Sequence, residues 1–488
     1  MLKCFRYRRK MSNLRSSVLL IALFVITVLL YLFYVRPLSP WKGGNAVKVT
    51  KRSDIAYCNS PGYVTGAESE NMAGFTLKQL QVVIRHGDRG PIHPKALRHT
   101  SPVYISCSFN NTSLLQFTKL RNFREVINKD TFVVKGSEKK KLIDERHFCK
   151  GGQLTPFGYL QHLFNGEHLK RSYKNFLSTI DLKSEIHIQA TDVPRTIQSS
   201  SALIAGIFHD ELTINTYNIP IHIHKDRVSN GHFLLDENSN DLHCPQLEEK
   251  TNHIGETPKI IHFFKNAEPM LQKMAQILLL KRESLPAFSY IVDILYTKLC
   301  HGQGLPRGPR AQLPGSLVKQ ALQFSHMYSN VWYSALAELQ TLSILSQIAK
   351  YALHMLLRGN NPKKFVLFSG HDSTIAPFLH ILGVSDGKWP PYASRVVIEF
   401  YTRDSTFKED LPINEKIKST YFRVIYNGVA HKRLKFCHSN DPPNLCALHD
   451  LFVYVSDGLY HDQLELIDDV TFRELLFSRI KSICFRDV

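Results

Sequence analysis

The chain has 488 residues, of which 43% are hydrophobic, and a formal net charge of +19 from 61 Lys and Arg against 42 Asp and Glu. This apolar content can fill a core, and 25 Gly and 23 Pro are too few for a collagen-like or low-complexity chain. At about 150 residues per domain, the length allows roughly three domains or one large α/β unit. The charge alone would suggest a nucleic-acid or membrane partner.

Much of the charge lies at the N-terminus, on both sides of an apolar segment. Eleven basic residues and no acidic residue precede Asp54, which leaves +8 for the rest of the chain. Residues 17–35 carry no charge and nearly reach the ~20 residues that span a bilayer as a helix. A cleaved signal peptide, the alternative, would have an apolar run of about 7–15 residues and a small-residue cleavage site. We expect a cytosolic tail (1–16), a transmembrane signal anchor (17–35), a lumenal remainder and no nucleic-acid partner.

The cysteines and two glycosylation sequons agree with a lumenal body. Eight of the nine cysteines follow the anchor, an even number that suits an oxidising compartment. Their spacing does not resemble a zinc site, so we expect disulfides, with Cys437 and Cys446 forming a local bridge around a Pro-rich turn. Asn110 and Asn111 begin overlapping sequons and are candidate glycosylation sites.

A segment rich in Gly, Pro, Ser and Asn follows the anchor, and we expect it to form a lumenal stem (36–72) below a catalytic body (73–488). In the body, three short β-branched runs, 80–84, 185–190 and 365–368, are each followed by polar residues and then by a helical pattern. This order predicts an α/β fold with a parallel or mixed sheet flanked by helices.

Two further patterns complete the predicted architecture. Long stretches with apolar residues at three- and four-residue steps predict a mainly helical cap, roughly 211–325, inserted into the α/β unit. Nearer the C-terminus, the segments SRVVIEFY and YFRVIYNG alternate in polarity, which predicts an antiparallel pair added to the sheet.

The polar residues that follow the three β-branched runs predict a phosphoryl site. They are Arg85, His86, Arg89, Arg195, His371 and Asp372. Ligand sites in such sheets gather at the carboxyl ends of the strands, so these side chains should meet. Guanidinium groups offer bidentate donors to phosphate oxygens, and three of them together are costly unless an anion is bound.

Each of these residues has a place in a metal-free phosphoryl transfer. His86 can attack phosphorus as a neutral imidazole and form a phosphohistidine. The three arginines would stabilise the equatorial oxygens, and His371 would donate a further hydrogen bond. Asp372 would protonate the leaving alkoxide and then activate the water that cleaves the intermediate. The scheme needs neither a metal nor another cofactor.

These motifs resemble those of the histidine acid phosphatase family, in the order expected from Phe75 to the C-terminus. Arg85 to Pro91 is similar to its RHGxRxP signature, and His371-Asp372 to its HD dipeptide. The other matching positions are Gly152-Gln153-Leu154-Thr155, Gly158, Gln161-His162, Asp192 and Arg195-Thr196. Pro194 and Gly370 depart from the family pattern, which affects loop geometry but removes none of the chemical groups. The resemblance implies a histidine phosphatase-like fold, no cofactor, catalysis by His86 and Asp372, and phosphate binding by Arg85, Arg89, Arg195 and His371.

The N-terminal anchor extends this resemblance to the family's Golgi membrane branch. That branch removes the 2-O-phosphate of xylose in the glycosaminoglycan linkage region of proteoglycans. The resemblance thus implies a single-pass type II Golgi protein whose partners are phosphorylated xylose on linkage glycans and the glycosyltransferases that synthesise glycosaminoglycans. The basic segments Lys139-Lys140-Lys141 and Lys432-Arg433-Leu434-Lys435 could meet an acidic glycan, or could be ordinary solvated loops.

Other classes of enzyme explain fewer of these motifs. A Golgi glycosyltransferase often carries an Asp-x-Asp motif, which is absent, although metal-free transferases lack it too. The sequence has no GxSxG for a serine hydrolase, and His222-x-His224 is typical of two strand histidines rather than a metal pair. Two alternatives remain open: a broad lumenal acid phosphatase acting on another ester, and a non-catalytic phosphoglycan-binding module, which would need neither His86 nor Asp372.

Overall fold

A computed structural model describes residues 56–97, 102–111, 114–136, 141–215, 217–224, 243–357, 362–438, 442, 444–458 and 469–485. The expected cytosolic tail, the signal anchor and the first part of the stem lie outside these ranges. Within the described ranges, no helix combines the length and the apolar character needed to cross a membrane.

The described strands form one mixed sheet of nine strands in the order β2-β4-β3-β5-β1-β6-β7-β8, with β9 paired to β7. The strands are β1 Phe75–Arg85, β2 Phe132–Lys135, β3 Ile186–Thr191, β4 Ile219–His224, β5 Phe365–Gly370, β6 Arg395–Arg403, β7 Thr420–Tyr426, β8 Val429–His431 and β9 Cys446–Ala447. The part of the sheet from β2 through β4, β3 and β5 to β1 is parallel. From β1 through β6 to β7 the pairing is antiparallel, which confirms the pair predicted from the C-terminal alternation.

Helices cover both faces of the sheet and form the cap. They are α1 Leu114–Ile127, α2 Pro156–Ser172, α3 Lys174–Leu177, α4 Pro194–Ile207, α5 His209–Ile214, α6 Pro245–His253, α7 Pro258–Leu278, α8 Phe288–Cys300, α9 Gly315–Leu356, α10 Asp372–Leu382, α11 Ile413–Lys418, α12 Leu448–Val455 and α13 Asp469–Cys484. Successive side chains of a strand point to opposite faces of the sheet, so each face has its own core and its own layer of helices. On β1, Val82 packs in the core under α2 and α4, and its neighbour Val83 packs in the core under α9 and α10.

The cap has its own core, which α7, α8 and the first turns of α9 share. In two respects, residues 211–325 do not form the separate helical insertion that was expected. Strand β4 lies within this range but pairs with β3 in the main sheet. Residue 325 lies inside α9, which continues without interruption from the cap core into the core beside the sheet.

The four disulfides pair the eight cysteines that follow Asp54. They are Cys58–Cys300, Cys107–Cys149, Cys244–Cys484 and Cys437–Cys446. The prediction of disulfides and of the local Cys437–Cys446 bridge is therefore confirmed.

Residues 56–72 fall within the range expected for the stem, yet they pack against the body. Cys58 is joined to Cys300 at the end of α8, and Tyr57 stacks on Tyr296 with ring centroids 3.7 Å apart. Glu68 is buried and forms an ion pair with Arg395 over 2.7 Å. A buried carboxylate requires such a partner, so this part of the chain belongs to the folded body rather than to a spacer.

Candidate active site

Three neighbouring parallel strands end at the same edge of the sheet, and their following loops carry the predicted site residues. Arg85, the last residue of β1, is in register with Gly370, the last residue of β5. On the other side of β5, β3 ends at Thr191, next to the loop that leads into α4. The structure therefore brings together the side chains that the sequence analysis placed at strand ends.

His86 lies at the centre of this edge as a buried, neutral imidazole. Its Nδ1 is 2.8 Å from the carbonyl oxygen of Gly87. A carbonyl can only accept, so Nδ1 carries the proton and Nε2 keeps its lone pair. Burial, and after it the positive charge of Arg195, hold the pKa of His86 well below its usual value. His86 thus has the protonation state that a nucleophile needs.

The backbone around His86 is fixed by its contact with the start of α2. Thr155 caps this helix by accepting a hydrogen bond from the Gly158 N–H, and Pro156 occupies the first helical position. A Cβ on Gly87 would lie 2.4 Å from the Gly158 carbonyl oxygen, so only glycine permits this approach. His162 on the same helix has its Nε2 3.1 Å from the Arg85 carbonyl.

Arg85 is completely buried and held in position from several sides. Its Nη2 donates to the Tyr57 hydroxyl over 2.8 Å, and its Nη1 donates to the Pro390 carbonyl. The guanidinium also lies 4.5 Å from the ring centroid of Tyr392. These contacts leave the cation little rotational freedom, so its direction is set before a ligand binds.

Arg89 is paired with an acidic residue from the cap. Its Nη1 is 2.8 Å from Oδ1 of Asp293 on α8. The other carboxylate oxygen of Asp293 accepts the Ile92 N–H over 2.7 Å. The cap thereby orients a phosphate-binding candidate and lowers the net charge of the site.

Arg195 and His371 are in contact within the site. Pro194 begins α4, which makes Arg195 its second residue. Burial, followed by repulsion from Arg89, lowers the pKa of Arg195 to about 9, which still leaves it charged near neutral pH. Its Nη2 is 3.4 Å from Nδ1 of His371, whose Nε2 is 2.9 Å from the Thr191 hydroxyl. Burial and the Arg195 charge hold the pKa of His371 well below its usual value.

Asp372 begins α10 and contacts the cation cluster through Oδ2. This oxygen accepts a hydrogen bond from Trp389 Nε1 over 2.6 Å and lies 3.3 Å from Nη2 of Arg85. Burial acts to raise the pKa of Asp372, but the charges of Arg85 and Arg89 outweigh it and lower the pKa to about 2. An approaching phosphate dianion would oppose this lowering and favour the protonated acid.

The three arginines share one further property. Among the described residues, the Nε atoms of Arg85, Arg89 and Arg195 are buried and have no hydrogen-bond partner. A buried donor left unpaired costs about 1–3 kcal/mol, and more when it is charged. Three such donors at one sheet edge fit a ligand with many acceptor oxygens, as a phosphate group has.

Several residues that shape the site were not found from the sequence. They are Tyr57, Tyr392, Asp293, Trp389 and His301. His301 Nε2 lies 2.8 Å from Oδ2 of Asp88, which also accepts from the Thr155 hydroxyl. Asp88 could have been found from the sequence, because it lies inside the RHGxRxP motif. The other five are common residue types from distant segments, and no sequence motif marks them.

The structure describes only some of the remaining candidates. Asn110 is exposed in the short 3-10 helix Phe109–Asn111, while the side chain of Asn111 lies outside the described residues, as do Lys139 and Lys140. In the second basic segment, Leu434 is buried and the three cations around it are exposed. His222 and His224 lie on β4, and the described part of the chain holds no group of three His, Cys, Asp or Glu suited to a metal.

Comparisons with known proteins agree with this geometry. A family model described as histidine phosphatase superfamily (branch 2) matches residues 76–279 and 283–427. Counting factor 60 of Dictyostelium discoideum is 28% identical, over 71% of this chain and 80% of its own length. 2-phosphoxylose phosphatase 1 of Xenopus tropicalis is 27% identical, over 83% of this chain and 79% of its own length. Lysosomal acid phosphatase of Rattus norvegicus is 28% identical, over 62% of this chain and 72% of its own length.

Proposed function

Because the chain belongs to the histidine phosphatase superfamily, branch 2, and is a phosphoric monoester hydrolase, we propose that it acts through a phosphohistidine on His86. The observation that carries this proposal is the tautomer of His86. Its Nδ1 proton is engaged by the Gly87 carbonyl, so the lone pair of Nε2 is available for attack. The reaction then needs only cations for the phosphate oxygens and a proton for the leaving group, both of which are close by.

In the first step, Nε2 of His86 forms a bond to phosphorus as the ester P–O bond breaks. The departing alkoxide takes the proton of Asp372, so the alcohol leaves neutral. In the second step, water attacks phosphorus, Asp372 takes a proton from it and the P–N bond breaks. Inorganic phosphate is released, and both side chains return to their starting protonation states.

The arginines stabilise the charge of the transferring group. Arg85, Arg89 and Arg195 carry the unpaired buried donors that equatorial oxygens would satisfy. His371 has both ring nitrogens engaged, one with Thr191 and one with Arg195. In the free site the low pKa of His371 keeps its ring neutral, with a single proton. A bound phosphate dianion would raise this pKa, and the second proton would then let His371 donate a hydrogen bond to phosphate.

For the substrate, we infer the 2-O-phosphate of xylose in the proteoglycan linkage region. Support comes from the 2-phosphoxylose phosphatase 1 relatives; the human one is 24% identical over 89% of this chain and 92% of its own length. The uncharged segment 17–35 and four disulfides support a Golgi lumenal site behind an N-terminal anchor, near the glycosyltransferases that build the same glycans. A broad acid phosphatase is the second candidate, favoured by the lysosomal relatives.

Trapping the intermediate tests the mechanism. The full-length protein is mixed with a ³²P-labelled monoester, quenched in alkali, which preserves phosphohistidine, and analysed for label on His86. We expect label on the wild type, none on His86→Ala, and accumulation of label in Asp372→Asn when the leaving group is a phenol that departs without an acid. Asp410→Asn, an exposed carboxylate, is the matched control. Unchanged turnover by His86→Ala would contradict the mechanism.

A separate assay tests the substrate. The ratio of kcat/KM for a xylose 2-phosphate linkage oligosaccharide to that for 4-nitrophenyl phosphate measures the preference directly. A preference for the oligosaccharide supports the xylose assignment. Faster hydrolysis of simple esters, with no gain from the glycan, supports the broad acid phosphatase instead.

A further inference from the structure

A groove opens beside the phosphate site, between the chain that follows the RHGxRxP motif and the start of α8. Its cavity volume is about 540 Å³. The lining includes Ile92, His93, Lys95, Pro286, Ala287 and Tyr290. This volume lies in the ~300–1,000 Å³ range of small-molecule sites, and the lining is mostly apolar with few polar groups, as is typical of them.

The groove is joined to the phosphate site through α8. Tyr290 and Asp293 are three residues apart on this helix, so they occupy the same face. Asp293 contacts Arg89 with one carboxylate oxygen and the Ile92 N–H with the other. One residue of the groove, Ile92, is therefore hydrogen-bonded to the residue that orients a phosphate-binding arginine.

A second connection runs through the loop before α2. A Cβ built on Gly152 would lie 3.2 Å from Nη1 of Arg195 and 4.0 Å from Cγ1 of Ile92. Ile92 is also only three residues from Arg89, a span of at most about 10 Å of extended chain. A group esterified to a phosphate held by these arginines would reach the groove.

The surface of the groove is suited to a sugar ring. The rings of His93 and Tyr290 are stacked with centroids 3.7 Å apart, yet Tyr290 remains 38% exposed and Ile92 44% exposed. The face of an aromatic ring is electron-rich and attracts the weakly positive C–H face of a pyranose. The exposed ammonium group of Lys95 adds three donors for hydroxyl or carboxylate oxygens.

We propose that this groove, defined by Ile92, His93, Lys95 and Tyr290, binds the sugar ring of the leaving group and selects phosphorylated carbohydrate over other esters. This proposal rests on the phosphomonoesterase function proposed above. It adds a specificity site that acts through binding of a non-reacting part of the substrate.

The test compares two esters of secondary alcohols with the full-length protein. Methyl β-xylopyranoside 2-phosphate carries the ring, and isopropyl phosphate lacks it. We expect Tyr290→Ala to lower the ratio of kcat/KM for the xyloside to that for isopropyl phosphate about tenfold, and His93→Ala to lower it in the same direction. Tyr104→Ala, an aromatic residue 64% exposed elsewhere on the surface, should leave the ratio unchanged.

The inhibition constant of inorganic phosphate and the thermal unfolding midpoint are measured on the same variants. If the ratio falls while the phosphate inhibition constant and the unfolding midpoint stay unchanged, the substitution has weakened binding of the leaving group, which supports the proposal. An unchanged ratio in both groove variants overturns the proposal, while label on His86 would still support the proposed mechanism. A fall of equal size for both esters also overturns it, because the groove would then act on the phosphate site in general.

Discussion

The indole Nε1 of Trp389 donates a hydrogen bond to Oδ2 of Asp372 over 2.6 Å, and the same oxygen lies 3.3 Å from Nη2 of Arg85. Trp389 is held in turn by its backbone N–H, which donates to His326 over 2.9 Å. The candidate general acid is therefore oriented by an indole from a loop outside the motifs. Both donors favour the charged carboxylate, so they oppose the protonation that acid catalysis requires.

Replacing the indole should change the pH dependence of turnover. Trp389→Phe removes a hydrogen bond to the carboxylate form, so the pKa of Asp372 rises and the acid stays protonated to higher pH. We expect the falling alkaline limb of the kcat profile to move to higher pH, and kcat at the optimum to drop several-fold for alkyl esters because the carboxyl group is less well oriented. Trp332→Phe on α9 is the control. A limb that does not move would show that Asp372 is not the group titrating there.

The Arg89–Asp293 pair predicts how tightly product binds. Asp293→Asn keeps an acceptor for the Ile92 N–H but removes a negative charge 2.8 Å from Arg89. The site becomes more positive, and we expect the inhibition constant of inorganic phosphate to fall by up to about tenfold, or ~1.4 kcal/mol. Competitive inhibition at low and high salt measures this, with a smaller difference at high salt. Weaker phosphate binding in the variant would mean that Asp293 matters by orienting Arg89 rather than by its charge.

Buried histidines near the site predict an acid-sensitive stability. Burial lowers the pKa of His162 to about 3, from about 6.5 in an unfolded chain. Between these values the unfolded state binds more protons, so the stability linked to His162 is present above pH 6.5 and is lost as the pH falls toward 3.

His162→Gln isolates this contribution, because glutamine can still donate to the Arg85 carbonyl and does not titrate. We expect the free energy of unfolding of the variant, relative to wild type, to rise as the pH is lowered from 7 to 4. Urea titrations at several pH values check this. Parallel curves for the two proteins would contradict the assigned shift.

The Cys58–Cys300 disulfide should contribute more to stability than the local bridge. It links residues 242 apart, whereas Cys437–Cys446 links residues 9 apart. Loop-closure entropy then predicts a loss of about 5 kcal/mol for Cys58→Ser with Cys300→Ser, against about 3 kcal/mol for the matched local pair. Only the long-range variant should also weaken phosphate inhibition, because Tyr57 beside it contacts Arg85. Equal losses would show that the packing of segment 56–72 fixes this region without the disulfide.

The parts of this molecule that could be predicted from sequence are those encoded locally. Strand-ending motifs place Arg85, His86 and His371, since parallel strands must bring their carboxyl ends to one edge. The partners that tune these groups come from far away: Tyr57 is 28 residues from Arg85, and Asp293 is 204 residues from Arg89. Their positions follow from how the cap and the segment before β1 pack, and a single Tyr or Asp has no spacing pattern that reveals such packing.

The 42-residue helix α9 links the cap to the core beside the sheet. At 1.5 Å per residue it is about 63 Å long, and it contributes side chains to the cap core and to the core beside the sheet. The cap cannot swing open as a lid without breaking main-chain hydrogen bonds of this helix. We therefore expect the cap to keep its position relative to the sheet when a substrate binds.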